Sequence, residues 1–460
     1  MTEKIKKNQY NDPVNFYPSE IGKKYGLDIN DDSFCILPFM HMSTTTNGEY
    51  RLCCRSQPIS QINYQQMHNL FPNQFPEDNK NTASIKETFL SERYNNVRKQ
   101  MIKGIKHKRC NACWKLEEKN VVSLRKSMNS ERLEKYIHLV KKFVNTGNLD
   151  WNVPVLELKL SNICNLRCRM CSPKDSTPWI DDWKEVKHLY TEGARVYYDN
   201  IIKANNLENK KILNLFSKDK IFVDDIMENL NNMHELEFAG GEPLLDPLHF
   251  DIISKIKNPQ NVILKYSTNL TNLEFKKGRN VLDIWKKYKG VKLTISVDGY
   301  ERLNKIIRKN SDWNKLRENI KLCKKELGSR LISVRGTTTI SAMNVEYLLE
   351  TMQAITEDLK ISWHTSRLTL PEFLHANVLD KYHLKRIKIK YIDYLHNLNN
   401  NYAFYINNNY SDIMYNSCIR HLKDSIAWIE HCITNNNEEK YNEQYKEFLK
   451  IMYNFDKKVS

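Results

Sequence analysis

Apolar residues recur at every second position in short segments along the middle of the chain, and polar or helical stretches separate these segments. Val155–Leu160 is the first of them, and its alternation is typical of a β-strand. Strands that alternate with helices predict parallel βαβ units. Five further strands are predicted downstream, at His234–Ala239, Val262–Ser267, Val291–Val297, Ile332–Ile340 and Ile361–Leu368.

These six strands predict an α/β fold, a partial (β/α)6 barrel whose chemistry lies in loops at the carboxyl ends of the strands. Trp179–Ile226 interrupts the series and is predicted to be helical and lysine-rich. Asp246 is predicted to cap the helix after the second strand, with Pro247 in its first turn. From about Tyr382 onward the sequence predicts helices broken by asparagine runs.

A different pattern precedes the barrel. The first 32 residues are polar and predict an irregular arm. Two strands, Phe34–Met42 and Tyr50–Cys54, flank Asn47-Gly48, a pair that favours a hairpin turn. We therefore predict four regions: the arm (1–32), a small cysteine-rich module (33–150), the barrel (151–375) and a helical C-terminal region (376–460).

Composition adds a cellular setting. The chain has 460 residues, of which 40% are hydrophobic and 27% charged, as expected for a soluble protein of two or three domains. The N-terminal residues lack the apolar core of a secretory signal, and no apolar run could span a bilayer. We expect a cytoplasmic protein without membrane partners. Thiols stay reduced there, so clustered cysteines predict metal ligands rather than disulfides.

The formal net charge of +16 leaves two interpretations open. It could attract a nucleic acid or another polyanion. Alternatively, lysines scattered along an asparagine-rich chain are a compositional bias with a solvated lysine surface, and we favour this second interpretation.

Three cysteines are crowded into one loop directly after the first barrel strand. Cys164, Cys168 and Cys171 are separated by three and then two residues. Soft thiolate ligands at this spacing select an iron–sulfur cluster, zinc or copper(I). With three cysteines, one corner of a four-iron cluster would lack a protein ligand. The alternative is a structural zinc site completed by His188 or by a cysteine of the N-terminal module.

This Cys-x-x-x-Cys-x-x-Cys motif resembles the signature of the radical S-adenosylmethionine (SAM) superfamily. The resemblance implies that three thiolates hold a [4Fe-4S] cluster, and that the amino and carboxylate groups of SAM bind the fourth iron. The residue before the last cysteine is often aromatic in that family. Here it is Met170, for which the resemblance implies an apolar contact with adenine.

A second motif ends the second predicted strand. Gly240-Gly241-Glu242-Pro243 resembles the family's Gly-Gly-Glu-Pro element, which lines the amino end of SAM. Glycine lets a backbone approach a ligand closely, and Glu242 can accept hydrogen bonds from an ammonium group. An ordinary strand-to-helix turn is the alternative interpretation.

Further elements follow in the order seen in the family, and each is weak by itself. The resemblance implies contacts with the ribose, with the SAM carboxylate and beyond the fifth strand. An arginine suits the carboxylate because its planar fork pairs with both oxygens. The implied cofactor-binding residues are Ser267, Thr268 and Asn269 for the ribose, Ser296, Asp298 and Arg308 for the carboxylate, and Asn344 beyond the fifth strand.

The N-terminal cysteines resemble the auxiliary-cluster pattern of SPASM and twitch domains, although that domain follows the barrel in most relatives. The resemblance implies an auxiliary [4Fe-4S] cluster held by Cys35, Cys53, Cys110 and Cys113. Cys54 is an alternative to Cys53, because neighbours on a strand point to opposite faces. Tetrahedral zinc would suit the same four thiols. Packing roles are predicted for Cys323, Cys418 and Cys432, and structural roles for His364 and His375.

The resemblance as a whole implies a radical SAM enzyme that reductively cleaves SAM to a 5′-deoxyadenosyl radical, which abstracts a substrate hydrogen. It also implies an electron donor such as flavodoxin or ferredoxin, and a peptide or protein substrate. Two alternatives stay open. One is radical SAM chemistry on a nucleic acid or nucleotide, and the other is a non-catalytic zinc protein that binds RNA.

Overall fold

The computed structural model describes residues 16–61, 83–118, 122–189, 192–205, 207–208, 212–229, 233–275, 278–368, 370–407 and 411–435. The chain divides into two compact units. The first unit comprises Met1–Leu160, Asn214–Glu237 and Lys255–Val262; the second comprises Ser161–Leu213, Phe238–Ser254 and Ile263–Ser460. Among the described helices, none combines the length and apolar character needed to cross a membrane.

The described residues that lie wholly in the first unit form the strands β1 (His41–Thr44), β2 (Glu49–Arg51), β3 (Pro58–Gln61) and β4 (Val155–Lys159). Their order is β3-β2-β1-β4, with β1 antiparallel to β2 and parallel to β4. Its helices are Pro18–Lys24, Leu37–Met40, Ile85–Leu90, Glu92–Ile102, Asn111–Glu117, Leu124–Thr146 and Lys220–Asn229.

The predicted hairpin is confirmed, because Gly48 adopts a φ of +82° in the turn between β1 and β2. The predicted strand Phe34–Met42 is wrong over its middle, where Leu37–Met40 forms one helical turn. Pro38 lies in the first turn of that helix, where its missing N–H costs no hydrogen bond. The segment predicted to be an irregular arm also contains a helix, Pro18–Lys24.

A buried arginine organises the core of the first unit. Arg98 donates to the carbonyls of Pro38 (2.9 Å) and Phe89 (3.1 Å), and its guanidinium lies 4.5 Å from the Tyr94 ring centroid. Burial lowers the pKa of Arg98 to about 10. The Tyr94 hydroxyl donates to the His41 carbonyl at 2.9 Å, which ties this helix to β1.

The second unit carries the later strands, after a short strand β5 (Arg167–Cys168). Strand β6 (Glu235–Ala239) falls where the chain passes from one unit to the other. The five strands predicted after Val155–Leu160 are each present within one residue of the expected ends. Those of the second unit are β7 (Ile263–Thr268), β8 (Gly290–Ser296), β9 (Arg308–Lys309), β10 (Leu331–Ile340) and β11 (Ser362–Arg367).

Four of these strands form a parallel sheet in the order β11-β10-β8-β7, which confirms the predicted α/β class. One face is apolar and buried, with Tyr266 and Ile295 among its residues. The other face is half-buried and polar, and the register aligns Ser296, Thr337 and His364 across three strands. The described strands do not close into a complete barrel, since β11 lies at the edge of this sheet.

Helices separate these strands, as the βαβ pattern predicts. Asp246 caps the helix after β6 as predicted, because its carboxylate accepts the Leu248 N–H at 2.9 Å. The predicted helical interruption before the second strand is also present. The helices of this part of the chain are Pro178–Val186, Glu192–Ala204, Pro247–Lys255, Val281–Trp285, Glu301–Ile307, Trp313–Leu327, Leu348–Gln353, Lys381–Asn400, Tyr402–Asn407 and Asp412–Thr434.

The helix Asp412–Thr434 covers the outer edge of β11. Ser417 donates its hydroxyl to the Trp363 carbonyl (2.6 Å), and His421 Nδ1 accepts the Thr365 N–H at 3.2 Å. Because Nδ1 accepts, the proton of the neutral ring is on Nε2, which lies 3.0 Å from His364 Nδ1. Burial and nearby arginines, Arg420 included, lower the pKa of His421 to about 3.

Candidate functional site

The cysteine loop, which we define as residues 161–172, contains Cys164, Cys168 and Cys171. Strand β5 within it pairs antiparallel with β9, so that Cys168 and Arg308 are direct partners. The Arg169 N–H donates to the Ile307 carbonyl at 2.8 Å and extends this ribbon. The loop is therefore fixed to the segment that follows the helix Glu301–Ile307.

The three thiols lie close enough to influence one another. Burial, the Glu242 carboxylate and the Cys168 sulfur raise the pKa of Cys164 to about 12, although the Leu166 N–H donates to its sulfur at 3.4 Å. Burial, Asp175 and the other two sulfurs raise the pKa of Cys171 as well. Metal binding would therefore have to displace protons from these thiols at neutral pH.

The turn Gly240–Pro243 packs directly against the cysteine loop. A Cβ on Gly241 would lie 2.3 Å from the Ile163 carbonyl oxygen, so only glycine fits there. The Gly241 N–H donates to the Ser161 carbonyl (3.1 Å), and the Glu242 N–H donates to the Ile163 carbonyl (2.6 Å). The close approach that glycine permits is therefore to the backbone just before Cys164.

Glu242 connects the turn to the end of β7. Its carboxylate accepts hydrogen bonds from the Thr268 hydroxyl (2.6 Å), the Asn269 N–H (2.7 Å) and the Leu244 N–H (3.1 Å). Only 2% of Glu242 is exposed, and burial raises its pKa. The Asn269 side chain donates to Asn165 Oδ1 at 3.0 Å, which links β7 to the cysteine loop.

Arg308 contacts both a thiol and a carboxylate. Its Nη1 lies 3.4 Å from Cys168 Sγ, and its Nη2 lies 2.6 Å from Asp298 Oδ2. The Asp298 carboxylate also accepts a hydrogen bond from the Thr339 N–H at 2.7 Å, and Asp298 is fully buried. Nε of Arg308 is buried and has no hydrogen-bond partner among the described residues.

The other predicted cofactor-binding residues differ in how far they are buried. Met170, Ser267 and Ser296 are half-buried, whereas Pro243 is buried. Asn344 is fully buried, and its amide donates to the carbonyls of Asp298 and Thr339, both at 3.0 Å. The Ser341 N–H donates to the Asn344 Oδ1 at 2.8 Å. Asn344 thus positions Asp298, and its donors are already used.

The first unit brings the four N-terminal cysteines together. Cys35, Cys53, Cys110 and Cys113 line one cavity, which we call the thiol pocket, whereas Cys54 is exposed and does not line it. Burial raises the pKa of Cys35, and the sulfurs of Cys110 and Cys113 raise it further.

Three further side chains hold the thiol pocket in shape. Arg125 donates to the carbonyls of Asp31 (2.7 Å) and Phe34 (2.9 Å), pairs with Glu117 (2.5 Å) and lies 5.1 Å from the Trp114 ring centroid. These contacts position the chain just before Cys35 and just after Cys113. Among the described residues, no three His, Cys, Asp or Glu side chains are already arranged around a single metal ion.

Comparison with known proteins connects this geometry to a family. Residues 158–355, which include the cysteine loop, Gly240–Pro243 and Arg308, match the radical SAM superfamily. The chain carries a radical SAM domain. The predicted resemblance to the radical SAM superfamily is therefore confirmed over residues 158–355.

Individual relatives of the radical SAM domain are distant. An uncharacterized protein of Methanocaldococcus jannaschii is 29% identical over 160 residues, which span 33% of this chain and 41% of that protein. Native anSMEcpe with bound AdoMet gives a TM-score of 0.35 at 14% identity, over 55% of this chain and 62% of that one. SuiB from Streptococcus suis bound to S-adenosylmethionine gives 0.30 at 13% identity, over 62% and 60%.

The residues of the radical SAM domain fit the groups that its family implies. Three neighbouring thiols can hold three irons of a cluster. The buried, unpartnered Nε of Arg308 can donate to an anionic group such as the carboxylate of SAM. The backbone of Gly240, at a φ of +107°, suits a turn that only glycine adopts easily.

Sequence reasoning missed several residues of both sites. Asn165 lies within the cysteine motif, and its polar side chain was a signal that the loop is tied to β7. Trp114 directly follows Cys113, which was a signal for a pocket lining. The contact between Arg308 and Cys168 had no signal, since 140 residues separate the two along the chain.

Proposed function

We propose that this protein is a radical SAM enzyme that modifies a peptide or protein. When bound, a [4Fe-4S] cluster at the cysteine loop would supply the electron that cleaves SAM reductively to methionine and a 5′-deoxyadenosyl radical. Cys164, Cys168 and Cys171 would hold this cluster. The observation that carries the proposal is the convergence of these three thiols beside Arg308, which offers a buried and unused donor.

The chain's own residues would bind and orient SAM. Arg308 donates to the carboxylate, and its fixed Asp298 partner keeps the guanidinium in place. Glu242 retains one free lone pair, on Oε2, for an ammonium group while its present bonds hold the end of β7. Ser267 and Ser296 lie on the polar face of the sheet, where they can contact the remaining polar groups. Ordering these groups in advance lowers the entropic barrier of the reaction.

The thiol pocket would hold an auxiliary [4Fe-4S] cluster that relays an electron or binds substrate. This part of the proposal is supported by the four buried or half-buried cysteines that line one cavity, and by their resemblance to the twitch and SPASM pattern. That resemblance also favours a peptide or protein substrate. An electron donor such as flavodoxin or ferredoxin would reduce the clusters.

The first experiment is anaerobic purification and reconstitution of the full chain with iron and sulfide. Iron, sulfide and zinc are quantified, and 5′-deoxyadenosine is measured by mass spectrometry after addition of SAM and dithionite. We expect a brown protein with two clusters that forms 5′-deoxyadenosine. A colourless protein that contains zinc without iron or sulfide would sink the enzyme assignment.

The second experiment addresses the substrate. Peptides encoded beside the gene are incubated with the reduced enzyme and SAM, and their masses are compared with unreduced controls. A mass change in a peptide supports the proposal. Modification of RNA or DNA in its place, with binding that falls steeply as salt rises, would establish the nucleic-acid alternative.

A further inference from the structure

Cys168 and Arg308 face each other on the β5–β9 ribbon. Their backbones are direct partners in this antiparallel pair, and the guanidinium reaches the sulfur at 3.4 Å. The side-chain amide of Asn310 donates to the Asn165 carbonyl at 3.3 Å, just beyond the ribbon. The register is therefore fixed, and with it the position of the guanidinium beside this one sulfur.

Asp298 holds the same guanidinium from the other side. Its backbone and carboxylate are fixed by Asn304, Thr339 and Asn344, through bonds of 2.9, 2.7 and 3.0 Å. The contact of 2.6 Å between Asp298 and Arg308 is buried, with the aspartate side chain fully inaccessible. A buried charge pair with this many supports has one geometry.

We infer that Arg308 raises the reduction potential of the cluster that the cysteine loop would hold, by donating to the Cys168 sulfur. The inference rests on the proposed function. Reduction adds one electron to the cluster and its sulfur ligands, and a positive donor stabilises the more negative state. Hydrogen bonds to cluster sulfurs and the local charge are known determinants of such potentials.

The Asp298 carboxylate adds a second, opposite effect. Its negative charge lies on the far side of the guanidinium and partly offsets the positive charge near the cluster. Removing the Arg308 charge and removing the Asp298 charge should therefore shift the potential in opposite directions. A merely structural disturbance of the loop would give no such pair of opposite shifts.

The test is a redox titration of the reconstituted full chain, reduced with dithionite and followed by electron paramagnetic resonance. Wild type is compared with Arg308→Gln, Arg308→Lys and Asp298→Asn. Lys309→Gln is the matched control, since it removes the same charge one residue away, on a side chain that lies 3.5 Å from Asp182. The series is repeated in the Cys110→Ala background, so that the signal of the thiol pocket does not overlap.

We expect Arg308→Gln to lower the potential, with a tenfold smaller ratio of reduced to oxidised cluster at a fixed potential, or about 59 mV for a one-electron couple. Arg308→Lys keeps the charge without the fork, so its shift should be smaller. Asp298→Asn should raise the potential, and Lys309→Gln should leave it unchanged.

Two results would overturn the inference. One is a reduction potential in Arg308→Gln equal to that of wild type, and the other is a shift of the potential in the same direction in Arg308→Gln and Asp298→Asn. If Arg308→Gln assembles no cluster, Arg308→Lys takes its place: an unchanged potential, or a shift of the same sign as that of Asp298→Asn, would then overturn the inference. A failure of the proposed function looks different, because wild type and all variants would then lack the cluster signal altogether.

Discussion

The cysteine loop and the thiol pocket both place an arginine beside a set of thiols, yet the two arginines do different things. Arg125 of the thiol pocket donates to two carbonyls, pairs with a carboxylate and lies over a tryptophan ring. Arg308 of the cysteine loop contacts a sulfur and keeps one buried donor unused. Four thiols can complete a metal centre by themselves, whereas three leave a position for a ligand. Under the proposed function, the thiol pocket would therefore be a closed metal site, and the cysteine loop would be a site open to a ligand.

The largest expected effect separates the two sites by activity. Cys168→Ala should abolish 5′-deoxyadenosine formation under dithionite, because the open cluster loses one of three ligands. Cys110→Ala should leave some SAM cleavage and lose product formation, because only the closed site is damaged. Mass spectrometry of 5′-deoxyadenosine measures SAM cleavage in both variants, and the mass of the peptide substrate measures product formation. Normal SAM cleavage by Cys168→Ala would contradict the assignment of the open site.

The second effect is on metal content within the thiol pocket. Cys53→Ala should lose about four irons per chain, the content of one [4Fe-4S] cluster. Cys54→Ala is the matched control and should keep them, since Cys54 is exposed and does not line the pocket. Iron and sulfide assays after reconstitution measure the loss. Equal iron contents in the two variants would show that Cys53 is not a ligand.

The third effect concerns the structural role of Arg125. Arg125→Met removes the buried cation that pairs with the Glu117 carboxylate, together with a donor to the Asp31 and Phe34 carbonyls, so the free energy of unfolding should fall by about 3–5 kcal/mol. Lys126→Met, one residue further along the same helix, is the control. Urea unfolding followed by circular dichroism gives both values. A loss confined to iron binding, with unchanged stability, would make Arg125 a site residue like Arg308.

The smallest effect concerns His421 and tests whether the second unit is sensitive to acid. The unfolded state protonates His421 below about pH 6.5, whereas the folded state keeps it neutral down to about 3. The unfolded state therefore binds more protons in this range, and stability falls as pH falls. Between pH 7 and pH 5, wild type should lose about 1–2 kcal/mol more than His421→Asn, which retains an acceptor for the Thr365 N–H. Urea unfolding at the two pH values measures these losses. Equal losses of unfolding free energy in wild type and His421→Asn would refute the prediction.

Much of the radical SAM domain could be predicted from its sequence because its signals are local. Strand alternation placed the ends of β10 within one residue, and Asp246-Pro247 marked a helix start. The hairpin turn at Gly48 was predictable for the same reason. Most cysteines of the two sites are closely spaced pairs or triplets, so their grouping follows from their spacing along the chain.

What could not be predicted depends on tertiary contacts. The alternation before β1 did not reveal that Leu37–Met40 forms a helical turn, which Arg98 supports from a distant helix. Asn344 resembles a ligand-binding residue in sequence, but its hydrogen bonds position Asp298. The choice between Cys53 and Cys54 likewise required the shape of the thiol pocket.

The covered edge of β11 has a consequence for truncated forms of this chain. Ser417 and His421, one helical turn apart, occupy the carbonyl and N–H that a neighbouring strand would otherwise take. A truncation that removes Asp412–Thr434 would expose these groups on a strand edge. Such an edge is a template for intermolecular pairing, and the shortened protein should self-associate or aggregate.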